Sequence, residues 1–169
     1  MVLVDPDARR KGVGKSLMNK SIELALSKGP VRLDATPEGF ELYRTLGFQS
    51  EYELVRYIKS SEVTPVKQNR PASGVAGLEH DELGSIAQLD TPIFGADRSR
   101  ILQDMYKRNP EYAFSRKKNG VFKAYCMGRS GSQFEHIGPI IADRTSDAEG
   151  LLAAVINPMA AKDAVIDVP

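Results

Sequence analysis

Residues 4–16 combine positive charge with two glycines, the composition of a loop that binds an anion. Gly12 and Gly14 let backbone amides approach a phosphate without a Cβ in the way. A helix that starts beside them would add the positive end of its dipole. Four basic side chains surround the same point, namely Arg9, Arg10, Lys11 and Lys15. The segment therefore predicts a phosphate-binding turn, against the alternative that these are ordinary solvated charges.

A strand and a helix are predicted to hold this turn in place. Met1–Val4 is short, apolar and rich in β-branched residues, and Asp5-Pro6 ends it because proline has no amide to donate. After the glycines, apolar residues recur at helical spacing as far as Leu26, and Gly29-Pro30 closes the helix. Strand, glycine turn and helix in this order are typical of phosphate sites.

Two spacing patterns separate the classes of protein that use such a turn. A Walker A loop reads G-x-x-x-x-G-K-S/T. Gly14-Lys15-Ser16 matches its end, but Arg9 stands where its first glycine belongs. The pattern Q/R-x-x-G-x-G/A after a V-x-P strand end is complete between Val4 and Gly14. The segment thus resembles the acetyl-coenzyme A pyrophosphate loop of the GNAT superfamily of N-acetyltransferases, and a P-loop nucleotide-binding protein is a remote alternative.

A second motif follows one helix later in the chain. Val31–Ala35 has strand composition, and Thr36-Pro37 supplies a helix cap and a suitable first helical residue. Gly47 stands where a left-handed helix end is expected. The segment Leu33–Phe48 resembles the strand and the Y-x-x-x-G-F helix that follow the pyrophosphate loop in GNAT enzymes.

The resemblance implies acetyl-coenzyme A as cosubstrate and no metal. In the family, backbone around the position of Val4 pairs with the pantetheine arm, and the amides of the loop hold the pyrophosphate. Tyr43 matches a tyrosine that protonates the departing thiolate; the alternative is that its ring only packs in the core. The cofactor-binding residues implied in this way are Leu3, Val4, Arg9, Arg10, Lys11, Gly12, Val13, Gly14, Lys15 and Ser16.

The implied reaction is direct attack of a primary amine on the acetyl thioester, which transfers the acetyl group to nitrogen. A carboxylate or an ordered water must accept a proton from the amine, and no residue of this chain is identified as that base. The acceptor is equally open and includes small amines, amino sugars, antibiotics and protein amino groups. The alternative is a catalytically inactive domain that binds coenzyme A or provides an interaction surface.

The order of the predicted elements divides the chain into three parts. Residues 1–58 resemble the C-terminal half of a GNAT domain, residues 59–71 a polar linker, and residues 72–169 the early part of a second GNAT-like domain. This last part is predicted to hold two helices, a hairpin through Lys117–Gly120, a strand, a helix and a final strand. The fold class is α/β, a mixed central sheet flanked by helices. The loop Asp143–Gly150 lacks the glycine pattern, so no pyrophosphate site is expected in the second domain.

The tandem arrangement is expected to be incomplete at both ends. A unit of fewer than about 60 residues buries too little surface to be comfortably stable alone. Two hypotheses describe what completes the sheet of residues 1–57: residues 72–130 of the same chain, or a second copy through self-association.

Composition argues against several other classes of protein. The chain has 23 Lys and Arg against 22 Asp and Glu, and a net charge of +1 gives no general attraction to nucleic acid or anionic membranes. No apolar run approaches the roughly 18 residues of a membrane span, and no cleavable leader is evident. His80, His136 and Cys126 lack metal-ligand spacing, and Cys126 is expected to be a small buried hydrophobe. Asp97-Arg98 is expected to cap and pair at a helix start, the alternative being that it orients a substrate. The protein is expected to be cytoplasmic.

Overall fold

The computed structural model describes residues 2–27, 29–62 and 74–169. The chain divides into two compact units, Met1–Glu53 and Leu54–Pro169. Most of the linker predicted at residues 59–71 lies outside the described residues, as does the first residue of the predicted strand Met1–Val4.

The first unit contains two helices, α1 (Val13–Leu26) and α2 (Pro37–Thr45), and a 3-10 turn at Pro6–Ala8. Both predicted helices are therefore present. The strands predicted before them are not formed, because residues 2–5 and 31–36 have no strand partner in the part of the chain that the structure describes. Strand composition produces a strand only where a neighbour completes the hydrogen bonds.

Helix α2 begins and ends as its sequence predicts. The Thr36 hydroxyl accepts a hydrogen bond from the Gly39 amide at 3.3 Å, and Pro37 occupies the first turn. At the other end, Gly47 has a φ of 90°, and the Phe48 amide donates to the Tyr43 carbonyl at 3.1 Å. These bonds satisfy backbone groups that a helix terminus otherwise leaves unpaired.

The second unit is built on one six-stranded sheet with the order β1-β6-β5-β4-β3-β2. All neighbouring strands are antiparallel except β5 and β6, which are parallel and pair only at Glu135–Ala164 and His136–Val165. Beyond these two residue pairs, β5 and β6 do not pair with each other. The strands are β1 (Val55–Lys59), β2 (Val75–Gly77), β3 (Phe114–Lys118), β4 (Val121–Ser130), β5 (Glu135–Ala142) and β6 (Ala164–Val168).

Helices cover both faces of this sheet, as the predicted α/β class requires. Helices α3 (Leu83–Phe94) and α4 (Ser99–Arg108) pack on one face, and α5 (Thr145–Ile156) packs on the other. Tyr125 and Met127 of β4 point to the first core, whereas Ala124 and Cys126 point to the second. This alternation is the two-residue period of a strand that is buried on both sides.

Strand β1 belongs to the sheet of the second unit. All five of its residues pair with β6, and Arg56 forms two hydrogen bonds of 2.7 Å with Asp167. The Lys59 ammonium donates to the carbonyls of Met159, Ala160 and Lys162, close after the end of α5. The segment that the sequence groups with residues 1–58 is therefore an edge strand of the following unit.

Candidate functional site

The turn between Val4 and Val13 is held by its own short-range hydrogen bonds. The Asp5 carboxylate accepts from the Asp7 amide at 2.9 Å and caps the 3-10 turn. Arg10 has a φ of 61° and Gly12 a φ of 80°, so the backbone enters the left-handed region twice within three residues. A backbone that alternates between the right-handed and left-handed regions can turn successive amides toward one anion.

The start of α1 leaves three backbone donors without a partner. The first hydrogen bond of the helix joins the Ser16 amide to the Gly12 carbonyl at 3.0 Å. The amides of Val13, Gly14 and Lys15 therefore have no acceptor among the described residues. The capping residue Gly12 has no side chain to accept from them, and the first turn holds no acidic residue. This helix start is open to an external anion.

Gly14 brings this open helix start close to Val4. A Cβ built on Gly14 would lie 3.4 Å from Cγ2 of Val4, which is an ordinary van der Waals contact distance. On the opposite side of the turn, the Arg9 Nε donates to the Val4 carbonyl at 3.3 Å. The structure therefore brings Val4, Arg9 and Gly14 together, as the pattern of the turn predicts.

The other basic residues of the turn are free to meet a ligand. Arg10, Lys11 and Lys15 are exposed, and none of them forms an ion pair within the described ranges. Leu3 is also exposed, with 76% of its surface accessible. Basic side chains that form no ion pair with the protein suit a multiply charged anion.

Tyr43 lies on α2 with its ring fixed on two sides. Its ring meets Phe48 edge to face, with centroids 6.0 Å apart and an interplanar angle of 71°. A Cβ built on Gly39, one turn earlier, would lie 3.0 Å from Cε2 of Tyr43. The ring therefore occupies space that is open only because residue 39 has no side chain. The Tyr43 hydroxyl forms no hydrogen bond with any described residue. It is a half-buried side chain whose polar end is available.

Sequence reasoning missed a buried charged cluster in the second unit. Asp90 is fully buried and accepts two hydrogen bonds from Arg98, at 2.6 and 2.7 Å, and one from the Tyr125 hydroxyl. Burial opposes ionisation of Asp90, but the bonds from Arg98 and Tyr125 outweigh it and hold the pKa below its ordinary value. Of this cluster, the sequence predicts only a pairing role for Arg98, and its bonds to Asp90 confirm that role. Asp97 accepts from the Ser99 amide at 2.8 Å, but the capping residue of α4 is Arg98, which forms no side-chain cap bond.

Two other expectations concern metal ligands and the single cysteine. Cys126 is fully buried in β4, and burial raises the pKa of its thiol, which confirms its role as a small core residue. Across residues 2–27, 29–62 and 74–169, no three His, Cys, Asp or Glu side chains are grouped so that they could hold a metal ion. In the same ranges, no helix is long and apolar enough to cross a membrane.

Comparison with known proteins identifies the family. Models of an acetyltransferase (GNAT) domain match residues 1–50 and, separately, residues 86–169. The chain belongs to the GNAT acetyltransferases. The mixed sheet between helices confirms the predicted fold class. The division into two domains of this family stays a prediction.

The relatives of this GNAT chain are longer proteins. An N-acetyltransferase of Bacillus subtilis, YitH, is 29% identical over 161 residues, which are 95% of this chain and 55% of the relative. Holothin acyltransferase of a Pseudoalteromonas species is 27% identical over 155 residues, or 91% of this chain and 51% of that protein. A putative acetyltransferase of Pyrococcus horikoshii superimposes with a TM-score of 0.74 at 26% identity, over 96% of this chain and 53% of its own. The chain thus spans about half the length of the curated relatives it matches.

Proposed function

We propose that the first unit binds the coenzyme of an acetyl-coenzyme A-dependent N-acetyltransferase and that the protein acetylates a primary amine. The observation that carries this proposal is the open start of α1, where three unpaired amides lie inside a basic turn. The family match supports the acyl donor, and the N-acetyltransferase name of a relative supports an amine acceptor.

In this proposal, the pyrophosphate of the coenzyme accepts hydrogen bonds from the amides of Val13, Gly14 and Lys15. The positive end of the α1 dipole and the exposed side chains of Arg10, Lys11 and Lys15 balance its charge. Leu3 and Val4 present extended backbone to the pantetheine arm. The proposal is supported by the short-range bonds that hold the turn, since a pre-ordered loop lowers the entropic cost of binding.

Tyr43 is proposed as the acid that completes the transfer. As the amine nitrogen bonds to the thioester carbonyl, the carbon–sulfur bond breaks and negative charge develops on sulfur. A hydroxyl that donates to this sulfur stabilises the departing thiolate. The Tyr43 hydroxyl suits this role because no described residue already occupies it and because Gly39 and Phe48 fix its ring.

The second unit is proposed to lack a coenzyme site of its own. The loop between β5 and α5 holds no glycine pair, and its helix start carries Asp147, which is buried and forms an ion pair with Arg116. A pyrophosphate at that position would meet a carboxylate of the same sign. We therefore expect one bound acetyl-coenzyme A for each chain.

Calorimetric titration of the whole chain with acetyl-coenzyme A tests the proposal. Wild-type protein is expected to bind one equivalent with micromolar affinity. Gly12→Glu is expected to abolish binding, because it puts a carboxylate and a Cβ where the anion lies and where φ is 80°. Gly84→Glu is the matched control, since this exposed glycine of α3 has nothing within 4 Å of an added Cβ.

Three outcomes would contradict the proposal in whole or in part. The absence of binding by folded wild-type protein would leave the motif without its ligand and favour a non-binding interaction domain. Binding of ATP-magnesium in place of acetyl-coenzyme A would favour the P-loop alternative. If acetyl-coenzyme A binds but no amine is acetylated, the catalytically inactive alternative is correct.

A further inference from the structure

Arg9 differs from the other basic residues of the turn in what its side chain does. Arg10, Lys11 and Lys15 extend from the turn without an ion pair or side-chain hydrogen bond in the described chain. The Arg9 Nε instead donates to the Val4 carbonyl at 3.3 Å, which closes the chain between residues 4 and 9. The Arg9 amide also donates, to the Pro6 carbonyl at 3.3 Å.

Val4 is consequently held from both sides of the turn. Gly14 lies against its side chain, and Arg9 binds its carbonyl. Residues 2–5 have no strand partner in the described part of the chain, so no sheet hydrogen bonds fix this segment there. The Arg9 bond is therefore a direct tether between the extended segment and the loop whose amides face the anion.

We propose that Arg9 is a positioning residue, which acts through its Nε–H donor and not through its charge. Its bond keeps Val4 and the amides of Val13–Lys15 at a fixed separation, so that one coenzyme molecule can meet both. This inference rests on the proposed function. In this inference, the positive charge that meets the pyrophosphate comes from Arg10, Lys11 and Lys15. Arg9 only maintains the geometry of the turn.

Side-chain chemistry offers a test that separates donor from charge. In glutamine, as in arginine, the atom bonded to Cδ is a nitrogen that carries hydrogen, so Arg9→Gln keeps the donor at the same distance along the side chain and removes the charge. Arg9→Met has a similar stem and neither donor nor charge. The two variants are equally uncharged, and any difference between them measures the hydrogen bond.

Calorimetric titration with acetyl-coenzyme A should be run on wild type, Arg9→Gln and Arg9→Met at several salt concentrations. We expect Arg9→Met to bind about five- to tenfold more weakly than Arg9→Gln, the range that corresponds to one hydrogen bond. The salt dependence of Kd should be the same in both Arg9 variants and in wild type. Lys15→Gln is the comparison variant, for which the salt dependence should become weaker.

The opposite pattern would overturn the inference. If Arg9→Gln binds as weakly as Arg9→Met, and both flatten the salt dependence as Lys15→Gln does, Arg9 meets the phosphate through its charge. Failure of wild type to bind would refute the proposed function instead, and a ligand-free measurement then decides the role of Arg9. Hydrogen exchange over residues 2–16 should be faster in Arg9→Met than in Arg9→Gln; equal rates would also overturn the inference.

Discussion

Removal of Arg98 should destabilise the second unit by much more than removal of any exposed arginine. The Arg98 side chain is 17% exposed, and that of its partner Asp90 is 1% exposed. Two short hydrogen bonds join them, and the guanidinium also lies 3.9 Å from the centre of the Phe94 ring. Arg98→Met keeps most of the apolar stem but leaves the Asp90 carboxylate buried with only the Tyr125 hydroxyl as its side-chain donor.

The expected cost follows from the loss of one partner in a buried pair. Such a change costs about 3–5 kcal/mol, because the remaining charge is left uncompensated in a low-dielectric interior. A domain of this size has a total stability of roughly 5–15 kcal/mol. The variant should therefore lose a large fraction of the free energy of unfolding of its second unit.

The stability lost in Arg98→Met should depend on pH, and the pKa of Asp90 determines whether the loss grows or shrinks as the pH falls. In the folded wild type, the pKa of Asp90 lies below its ordinary value of 3.8. The ionised pair with Arg98 therefore contributes its full stability above pH 3.8, and this contribution is lost as the pH falls through the lower pKa of the folded state. In Arg98→Met, burial is left with less opposition and raises the pKa of Asp90. The variant takes up a proton on folding, and the difference from wild type should shrink as the pH falls from 7 toward 3.8.

Urea denaturation followed by circular dichroism, at several pH values, measures this difference. Arg108→Met is the matched control, because its i,i+4 pair with Asp104 is 2.7 Å long but its side chains are 72% and 56% exposed. The control should cost less than about 1 kcal/mol at every pH. Equal losses for the two variants, or a loss for Arg98→Met that does not change with pH, would refute the reasoning.

Three further predictions concern single side chains. Lys59→Met should lower the free energy of unfolding of the second unit by about 1–3 kcal/mol, because three carbonyls lose a charged donor, and the urea midpoint reports this. Gly39→Ala should leave the free energy of unfolding unchanged or raise it by up to about 1 kcal/mol, because alanine favours the helix. If Tyr43 is the acid, the same variant should have a lower kcat and unchanged coenzyme binding, because the new Cβ displaces the Tyr43 ring. Gly84→Ala is the control. Cys126 should react with a thiol reagent such as Ellman's reagent only as the protein unfolds, because the thiol is buried and its pKa is raised.

Local signals in the sequence predicted much of the second unit. The predicted order of two helices, a hairpin, a strand, a helix and a final strand matches the order from α3 to β6. The hairpin at Lys117–Gly120 was also correct, since Asn119 and Gly120 have φ values of 52° and 76°. These elements depend on turn and capping residues whose preferences act over a few positions.

These local signals do not predict contacts between residues that are far apart in the sequence. Strand β1 pairs with β6, whose residues lie more than 100 positions later in the chain. The alternating pattern of β5 changes face between Ile137 and Ile141, because the register shifts between Cys126 and Gly128 of β4. Asp90 lies eight residues before Arg98 and gave no pattern of its own, so its pairing is visible only in three dimensions.

At the candidate site, the sequence predicted which residues form the turn but not the different roles of its basic side chains. Charge and glycine content mark Arg9–Lys15 as one group, since all four basic residues lie within one short segment. The structure separates them, because only Arg9 binds backbone within the turn. Side-chain direction decides this, and composition carries no information about it.

The two units contain helix starts of opposite electrostatic character, and this contrast explains why one chain would use one coenzyme site. Each helix start carries about half a positive charge from its dipole. At α1 that charge is reinforced by exposed basic residues and met by no carboxylate in the first turn. At α5 the first turn contains Asp147, whose full negative charge exceeds the dipole and is paired internally with Arg116. On the proposed function, a pyrophosphate would therefore be attracted to the start of α1 and disfavoured at the start of α5, although models of the same kind of domain match residues in both units.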